Sequence, residues 1–526
     1  MKATLGLSLL VVLYILEGIL AEDRSKTGIK VAVLEHARRP YGDTPVETML
    51  GNARVFVENA ARAAQQGAKL IVFPEYAMFG SGKYPPEQND IYHYYNIYLP
   101  DEAVGTWNPC EEPQKFYGPQ DPGDTYKVLE TLSCGAQNNS IVLVVNALTK
   151  RPCPSNTSAC GNDGYQTFNT NVFFGTNGTL IAVYHKRHLY HEDDLQPAPE
   201  PEYLIVDVDG TKFGTFICFD MIYAEPAFEY FTKLGIRNLI FSTAWIDELP
   251  FMTAPQLFER YARGLGVNLV VSNVFDPEKA RLGSGIYSSV LGALTETYDI
   301  STPDRLLIAE LPIDPLPVPE ESFACNFSAP EQEQTILNSS SYQKFIVTDV
   351  PSSSVPWNKT HKIYYQSLQN FTHQFLSNDK DSMTLCFGDL CCHLEYEFSS
   401  RDNTVYAFAI ANSLRHFSEY PIYEQVCSVL RCESEDIETC GRVPEKPTSS
   451  QFSSLNLIGS YATSTILPSV TGTDLQSFPA ATWSFSKGAC SNSNRFKTGG
   501  KISISQANPK ASIMVASLIG RVFERD

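Results

Sequence analysis

The sequence predicts a layered α/β domain to about residue 315, followed by a second, mostly β domain stapled by disulfides. Three observations carry this. Up to the boundary the chain alternates apolar runs with helical periodicities, and strands that read as unbroken apolar runs belong to sheets covered on both faces. Four prolines between Pro312 and Pro319 then act as a stiff connector rather than an element interior. Beyond them helical patterns become scarce, and eight of the 13 cysteines follow: Cys325, Cys386, Cys391, Cys392, Cys427, Cys432, Cys440 and Cys490. The domains read as 22–315 and 316–526.

Each element has its own signal. GIKVAVLEH (28–36) is an apolar strand. Thr44, Pro45 and Glu47 form a capping-box helix start, and Met49, Leu50, Ala53, Phe56, Val57, Ala60 and Ala64 keep helical spacing up to a stop at Gly67. LIVFP (70–74) is the next strand, so the pair implies a parallel crossover. SIVLVVNAL (140–148) is a strand, and NVFFGTNGTLIAVYHK places a hairpin turn at Thr176-Asn177-Gly178. FGTFICF (213–219) is a further apolar run. A helix from Glu225-Pro226 to Gly235, the strand NLIFSTAW (238–245), a helix around 252–265 and the strand NLVVSNVF complete the domain.

With 526 residues, 43% of them hydrophobic, the chain can bury far more than one small core. Asp and Glu number 59 against 40 Lys and Arg, a net charge of −19, which gives no long-range attraction to phosphate backbones or anionic lipid. Nucleic acid is not an expected partner. Lys2, the apolar run Leu5–Leu20 and Ala21 read as a removable signal peptide, residues 1–21. Glu17 and Gly18 interrupt the run, whereas a span needs about 20 apolar residues. No other membrane span is expected, and the end, SIMVASLIGRVFERD, lacks the hydrophobic tail of a lipid-anchor signal. The expectation is a secreted protein with oxidised cysteines and glycans. Sequons stand at Asn138, Asn156, Asn177, Asn326, Asn338, Asn358 and Asn370.

In open α/β sheets, ligand sites gather outside the carboxyl ends of the strands. At such ends stand Glu75, Lys186, Cys218 and Trp245. Because 13 is odd, one thiol stays unpaired unless it bridges two chains, and Cys218 in its apolar strand is the best candidate; the other 12 permit six bridges. Read singly, each residue also has a plain structural role: Cys218 as a small core residue, Glu75 as a solvated strand end, Lys186 as part of a basic cluster with Arg187 and His188. Together they offer a nucleophile, a proton acceptor and an oxyanion partner. His185, His188 and His191 recur every third residue beside Glu192 and Asp193, but a strand end running into a loop splays such rings, so no metal is expected. The later cysteines could imitate a zinc cluster, yet an oxidising compartment favours disulfides.

FPE at 73–75, YHK at 184–186 with Glu192 six residues on, and CFD at 218–220, in this order, resemble the carbon-nitrogen hydrolase (nitrilase) superfamily. WNPC (107–110), QTFNTNVFF (166–174), GTFICFD (214–220), STAW (242–245), GSGIY (283–287), LCC (390–392), VYAFAI (405–410), QVCSVLRC (425–432) and the closing GRVFERD narrow the resemblance to its biotinidase/vanin branch, across essentially the whole mature chain. The resemblance implies a nitrilase-like αββα sandwich, a thiol amidohydrolase acting on linear non-peptide amides, and no cofactor. It implies Cys218 as nucleophile forming a thioester, Glu75 as general acid and base, and Lys186 as oxyanion partner together with the backbone N–H after the nucleophile. Glu192 would orient Lys186 or the substrate, and Trp245 would wall the pocket.

The implied small-molecule substrate is pantetheine, cleaved to pantothenate and cysteamine, or biocytin, cleaved to release biotin. YHK matches the vanin form and favours pantetheine, whereas the absent anchor signal points to biotinidase. Arg187, His188, the stretch HEDDLQPAPEPE and the loop IDELP depart from the better-known relatives where acyl or amine portions could be chosen. The reading of another class is an idle relative that binds ligands or partners, which the intact Glu75, Lys186 and Cys218 set disfavours.

Overall fold

Alternate residues of the apolar runs belong to two different cores. In Gly28–Glu35, Val31 and Val33 join one buried cluster while Ala32 and Leu34 join another, because successive strand side chains point to opposite faces. The computed structural model describes residues 28–80, 95–117, 124–153, 164–325, 327, 346–350 (backbone only), 361–417, 420–491, 497–505 and 512–526. The leader 1–21 and the sequons at Asn156, Asn326, Asn338 and Asn358 lie outside the described residues; Asn138, Asn177 and Asn370 are exposed.

The strands in chain order are β1 (Gly28–Glu35), β2 (Leu70–Val72), β3 (Asn96–Tyr98), β4 (Val142–Pro152), β5 (Tyr165–Phe174), β6 (Leu180–His185), β7 (Ile205–Val208), β8 (Thr211–Ile217), β9 (Asn238–Thr243), β10 (Glu248–Leu249), β11 (Asn268–Asn273), β12 (Ser284–Ser288), β13 (Gly292–Thr297) and β14 (Arg305–Pro312). One sheet runs β14-β1-β2-β4-β5-β6, with β3 also on β4; the other runs β13-β12-β11-β9-β8-β7. Their centres are parallel, with Val31 opposite Leu70 and Leu70 opposite Val142 in the first, and Phe216 opposite Phe241 and Phe241 opposite Val271 in the second. The sheets face each other through Val31, Val33, Val72, Val144, Ile240 and Val270.

The helices are α1 (Pro45–Gln65), α2 (Tyr126–Asn139), α3 (Glu229–Thr232) and α4 (Ala254–Leu265). The expected capping box starts α1: Thr44 Oγ1 accepts from the Glu47 amide at 3.2 Å, and Glu47 Oε2 accepts from the Thr44 amide at 3.0 Å. Helices α1 and α2 cover the outer face of the first sheet through Phe56, Leu129 and Leu132. On the second sheet, Leu257, Phe258 and Tyr261 of α4 pack against Phe241 and Leu269. The result is the αββα sandwich the resemblance implies. The helix expected from Glu225-Pro226 is present as a wide helical turn over Ala224–Phe228 that runs into α3 and ends at Thr232, short of Gly235, with Glu225 itself held extended at φ −99° and ψ 134° ahead of Pro226.

The C-terminal part is a β-sandwich. One sheet contains Lys380–Phe387, Leu390–Ser400, Gln451–Tyr461, Thr498–Ile504, Trp483–Ser491 and Phe323–Ala324; the other contains Thr372–Phe375, Val405–Phe417, Tyr420–Cys432, Ile513–Arg521 and Ile466–Gly472. Along Val405–Phe417, Phe408 and Ile410 fill the space between these sheets, while Ala407, Ala409 and Ala411 face the cluster that holds α4. Small residues there let the two parts approach: a Cβ on Gly264 of α4 would sit 2.7 Å from Leu467 Cδ2 and 2.9 Å from the Ile466 carbonyl. Disulfides join Cys110–Cys134, Cys325–Cys490, Cys386–Cys391, Cys392–Cys427 and Cys432–Cys440; Cys153 is also bonded, to a partner outside the described residues.

The loop IDELP, expected to bear on substrate choice, mostly ties the two parts together. Asp247 accepts from the Tyr298 hydroxyl at 2.9 Å and the Ala254 amide at 2.7 Å and faces His361 at 3.3 Å. Glu248 pairs with Arg415, which also reaches Glu424 at 3.2 Å, and all three are buried. Removing one member of a buried ion network leaves uncompensated charge, so Arg415→Ala is expected to cost about 3 to 5 kcal/mol. A urea titration of the purified protein checks this; an unchanged midpoint would count against the network as a stabilising joint.

Candidate active site

Four strand ends converge. Glu75 stands three residues past β2, Lys186 directly after β6, Cys218 directly after β8, and Trp245 two residues past β9. All four line one cleft of about 390 Å³, its open mouth included, with Tyr76, Tyr190, Glu192, Phe219, Ile246, Arg281 and Phe417. The five residues singled out from the sequence are therefore brought together. Cys218 is buried and is the one free cysteine among the described residues. It adopts a left-handed φ of +42°, uncommon for a residue with a Cβ, at the sharp turn from β8 into the short helical turn Cys218–Ile222. Asp220 fixes that turn by accepting from the Ile217 amide at 3.0 Å, the Tyr184 hydroxyl at 2.7 Å and the His188 amide at 2.8 Å.

The charged groups form one connected network. Lys186 Nζ donates to Glu75 Oε1 and to Glu192 Oε2, each at 2.8 Å. Asn169 Nδ2 donates to Glu75 Oε1 at 2.8 Å and Glu192 Oε1 at 2.9 Å, and the Ala244 amide donates to Glu75 Oε2 at 2.8 Å. Each of these partners of Glu75 is a donor, so both its oxygens serve as acceptors. Asn169 is itself aimed by Asn146, whose Nδ2 donates to Asn169 Oδ1 at 2.7 Å while its Oδ1 accepts from the Tyr76 amide at 3.0 Å. Glu75, Lys186 and Glu192 are at most 3% exposed, so water screens none of these contacts.

Burial sets the titration behaviour. It pushes the Cys218 thiol up to about 12, helped by the Glu75 charge and opposed by Lys186, the Thr243 hydroxyl and the Ala244 amide. The resting sulfur is thus a thiol, and thiolate forms only as its proton finds an acceptor. Burial and then Glu75 raise Glu192 well above the carboxylate range, against the Tyr190 amide and Arg281. Burial alone would pull Lys186 down, but the Glu75 charge and the Cys218 sulfur raise it, so it stays an ammonium.

Sequence reasoning missed Asn146, Asn169, Tyr190, Arg281 and Phe417. For Asn146 a signal existed, a polar residue inside the apolar run VLVVNAL, where asparagine is depleted; Asn169 stands in a strand rich in polar residues, where nothing sets it apart. Trp245 both packs and lines the cleft, with its ring Nε1 donating to the Met252 carbonyl at 2.9 Å and Phe417 stacked at 5.8 Å. The three histidines go separate ways: His185 to Glu202, His188 to Asp220 with its ring on Tyr223, His191 against Tyr420. Arg187 donates to the Ala198 and Pro199 carbonyls, bracing its own loop.

Just behind the site, Glu35 at the end of β1 holds the Gly283 amide at 2.8 Å and the Ser284 hydroxyl at 3.2 Å. Burial raises its carboxyl from 4.5 to about 8. The folded protein therefore keeps a proton that the unfolded chain releases, and the stability this gives is full below about 4.5 and lost as pH rises through about 8. Glu35→Gln is expected to flatten the fall in urea midpoint across that window; a slope equal to the wild type would refute the assignment.

Residues 31–258 match the carbon-nitrogen hydrolase family, and residues 361–526 match the vanin C-terminal domain. The pantetheinase of Mus musculus is 34% identical over 413 residues, 78% of this chain and 73% of its own length. The biotinidase of Bos taurus is 29% identical over 531 residues, 97% of this chain and 95% of its own. An amidase from Nesterenkonia sp. of known crystal structure aligns at 20% identity over 55% of this chain and 92% of its own, with a TM-score of 0.39. The chain belongs to the carbon-nitrogen hydrolases, in the branch of pantetheinases and biotinidases that joins this domain to a vanin C-terminal domain, and it is an amide hydrolase.

Proposed function

We propose that this chain hydrolyses pantetheine to pantothenate and cysteamine, with Cys218 as nucleophile, Glu75 as general acid and base, and Lys186 as oxyanion partner. The observation that supports it is the convergence of a buried thiol, a carboxylate held only by donors and a captive ammonium on one cleft. Attack by Cys218 Sγ on the amide carbonyl carbon passes the thiol proton to Glu75, so no free thiolate has to persist in a site that disfavours it. The carbonyl oxygen becomes an oxyanion beside Lys186 and the Phe219 amide. Glu75 returns the proton to the nitrogen as the carbon-nitrogen bond breaks, leaving a thioester. Water, deprotonated by Glu75, then attacks the thioester carbonyl, and the proton restores the thiol as the acid departs.

Glu192 holds Lys186 in place, and Trp245 walls the pocket. The wide match to a biotinidase favours a second reading, release of biotin from biocytin. Incubating the protein with both compounds decides: cysteamine release with the higher kcat/KM is expected, and a higher value for biotin would replace the first reading by the second. Its setting is extracellular, which the disulfides and the exposed sequons at Asn138, Asn177 and Asn370 support. Among the described residues no helix is long and apolar enough to cross a membrane.

A further inference from the structure

We propose that, beside the uncharged pantetheine, this cleft takes amide substrates that carry a carboxylate, which Arg281 binds at the cleft wall. This rests on the reading of the cleft as the amide-cleaving site. Arg281 lines it together with Glu75, Lys186, Glu192 and Cys218. Its backbone is fixed on both sides. The Asp276 amide donates to the Arg281 carbonyl at 2.8 Å and the Arg281 amide to the Asp276 carbonyl at 3.1 Å, while Asn273 Nδ2 holds the Leu282 carbonyl at 2.9 Å and Glu35 holds Gly283. A side chain on such a turn starts from a set position.

The guanidinium it delivers is unengaged. Arg281 Nε is buried without a hydrogen-bond partner, and no ion pair reaches this side chain among the described residues. The acidic side chain of its own loop, Asp276, pairs with Arg38 at 2.9 Å. The other cation of the cleft, Lys186, is taken up by Glu75 and Glu192. Arg281 acts on Glu192 as a charge that favours its ionised form, without a hydrogen bond or ion pair between them. A partly desolvated guanidinium without an acceptor is costly, and its planar fork of donors fits a carboxylate in two parallel hydrogen bonds. The rest of the wall is aromatic and aliphatic, and its two tyrosines, Tyr76 and Tyr190, offer neutral hydroxyls rather than a charge to match an anion. Among the described lining residues an anionic group on the substrate would therefore find its free charged partner in Arg281.

The test compares matched amides that differ by one carboxylate: pantetheine with N-pantothenoylcysteine, biotin hexylamide with N-biotinyl-6-aminohexanoate, and pentanamide with glutaramate. The first two pairs place the anion near to and far from the nitrogen on the amine side, the third on the acyl side. In at least one pair the wild type is expected to prefer the carboxylated member by about tenfold in kcat/KM, through KM, and Arg281→Met to lose that preference. Arg281→Lys, which keeps the charge without the fork, should keep part of it. Equal or inverted preference in every pair, or a preference that Arg281→Met retains, overturns the proposal.

If none of these amides is cleaved, the amidase reading has failed, and alkylation of Cys218 still decides the role of Arg281. The ratio of labelling rates for iodoacetate over iodoacetamide should fall about fivefold in Arg281→Met, and an unchanged ratio refutes anion binding there.

Discussion

Cys218→Ser is expected to lower kcat by at least about 10⁴-fold while the protein still folds. The loss should be this large because burial already holds the native thiol up to about 12, and a serine hydroxyl is a far weaker acid in the same surroundings. Glu75 could accept a proton from either, but the alkoxide that must form alongside is much less accessible. Folding should persist, since one atom changes and the left-handed turn at residue 218 is fixed by Asp220 rather than by the sulfur. Two measurements check this: turnover of an amide substrate, and circular dichroism with the urea midpoint. Near-native turnover would remove Cys218 from the nucleophile's role, whereas lost turnover with lost structure would leave only a folding defect. Thioester trapping in the wild type by mass spectrometry, absent in the variant, separates these outcomes.

How much of this site was legible in the sequence differs residue by residue. Glu75, Lys186 and Cys218 could be found because each stands within three residues of the end of an apolar strand, and strand ends at one rim of a sheet are where such groups meet. The capping box of α1 was legible because its partners are local. Helix α2 was missed although Val128, Leu129, Leu132 and Ala136 keep helical spacing, because no side chain caps its start and Gly135, Asn138 and Asn139 dilute its end. The helix opened at Pro226 was legible for a local reason too, since proline suits a first helical turn and holds the residue before it, Glu225, extended. Phe417 was beyond reach, since it enters the cleft from a strand of the C-terminal sandwich about two hundred residues away, carried there by the alanine face of Val405–Phe417. Arg281 escaped because only the three-dimensional count of acceptors around it distinguishes it from any surface arginine.

Lys186→Met is expected to lower kcat/KM by about 10²- to 10³-fold through the lost oxyanion donor, a cost of about 2.7 to 4 kcal/mol, and to lower stability as well. Oxyanion stabilisation alone is too narrow an account of this residue. Lys186 is the ammonium between Glu75 and Glu192, both within 2.8 Å and both out of water. Without it two buried carboxylates face each other through Asn169 alone, and the pair must hold a proton to remain buried. Burial and Glu75 already raise Glu192 in the wild type; removing the cation adds to both effects. The pH–rate profile of Lys186→Met should therefore shift its acid limb upward, which a purely steric defect would not do. Adding Glu192→Gln removes one of the two opposed charges, so the double variant should recover much of the lost urea midpoint while its kcat/KM stays near that of Lys186→Met. Such a split assigns charge balance to the Lys186–Glu192 contact and rate to the contact between Lys186 and the oxyanion. Recovery of rate along with stability would mean that the lysine serves the fold and that some other donor meets the oxyanion.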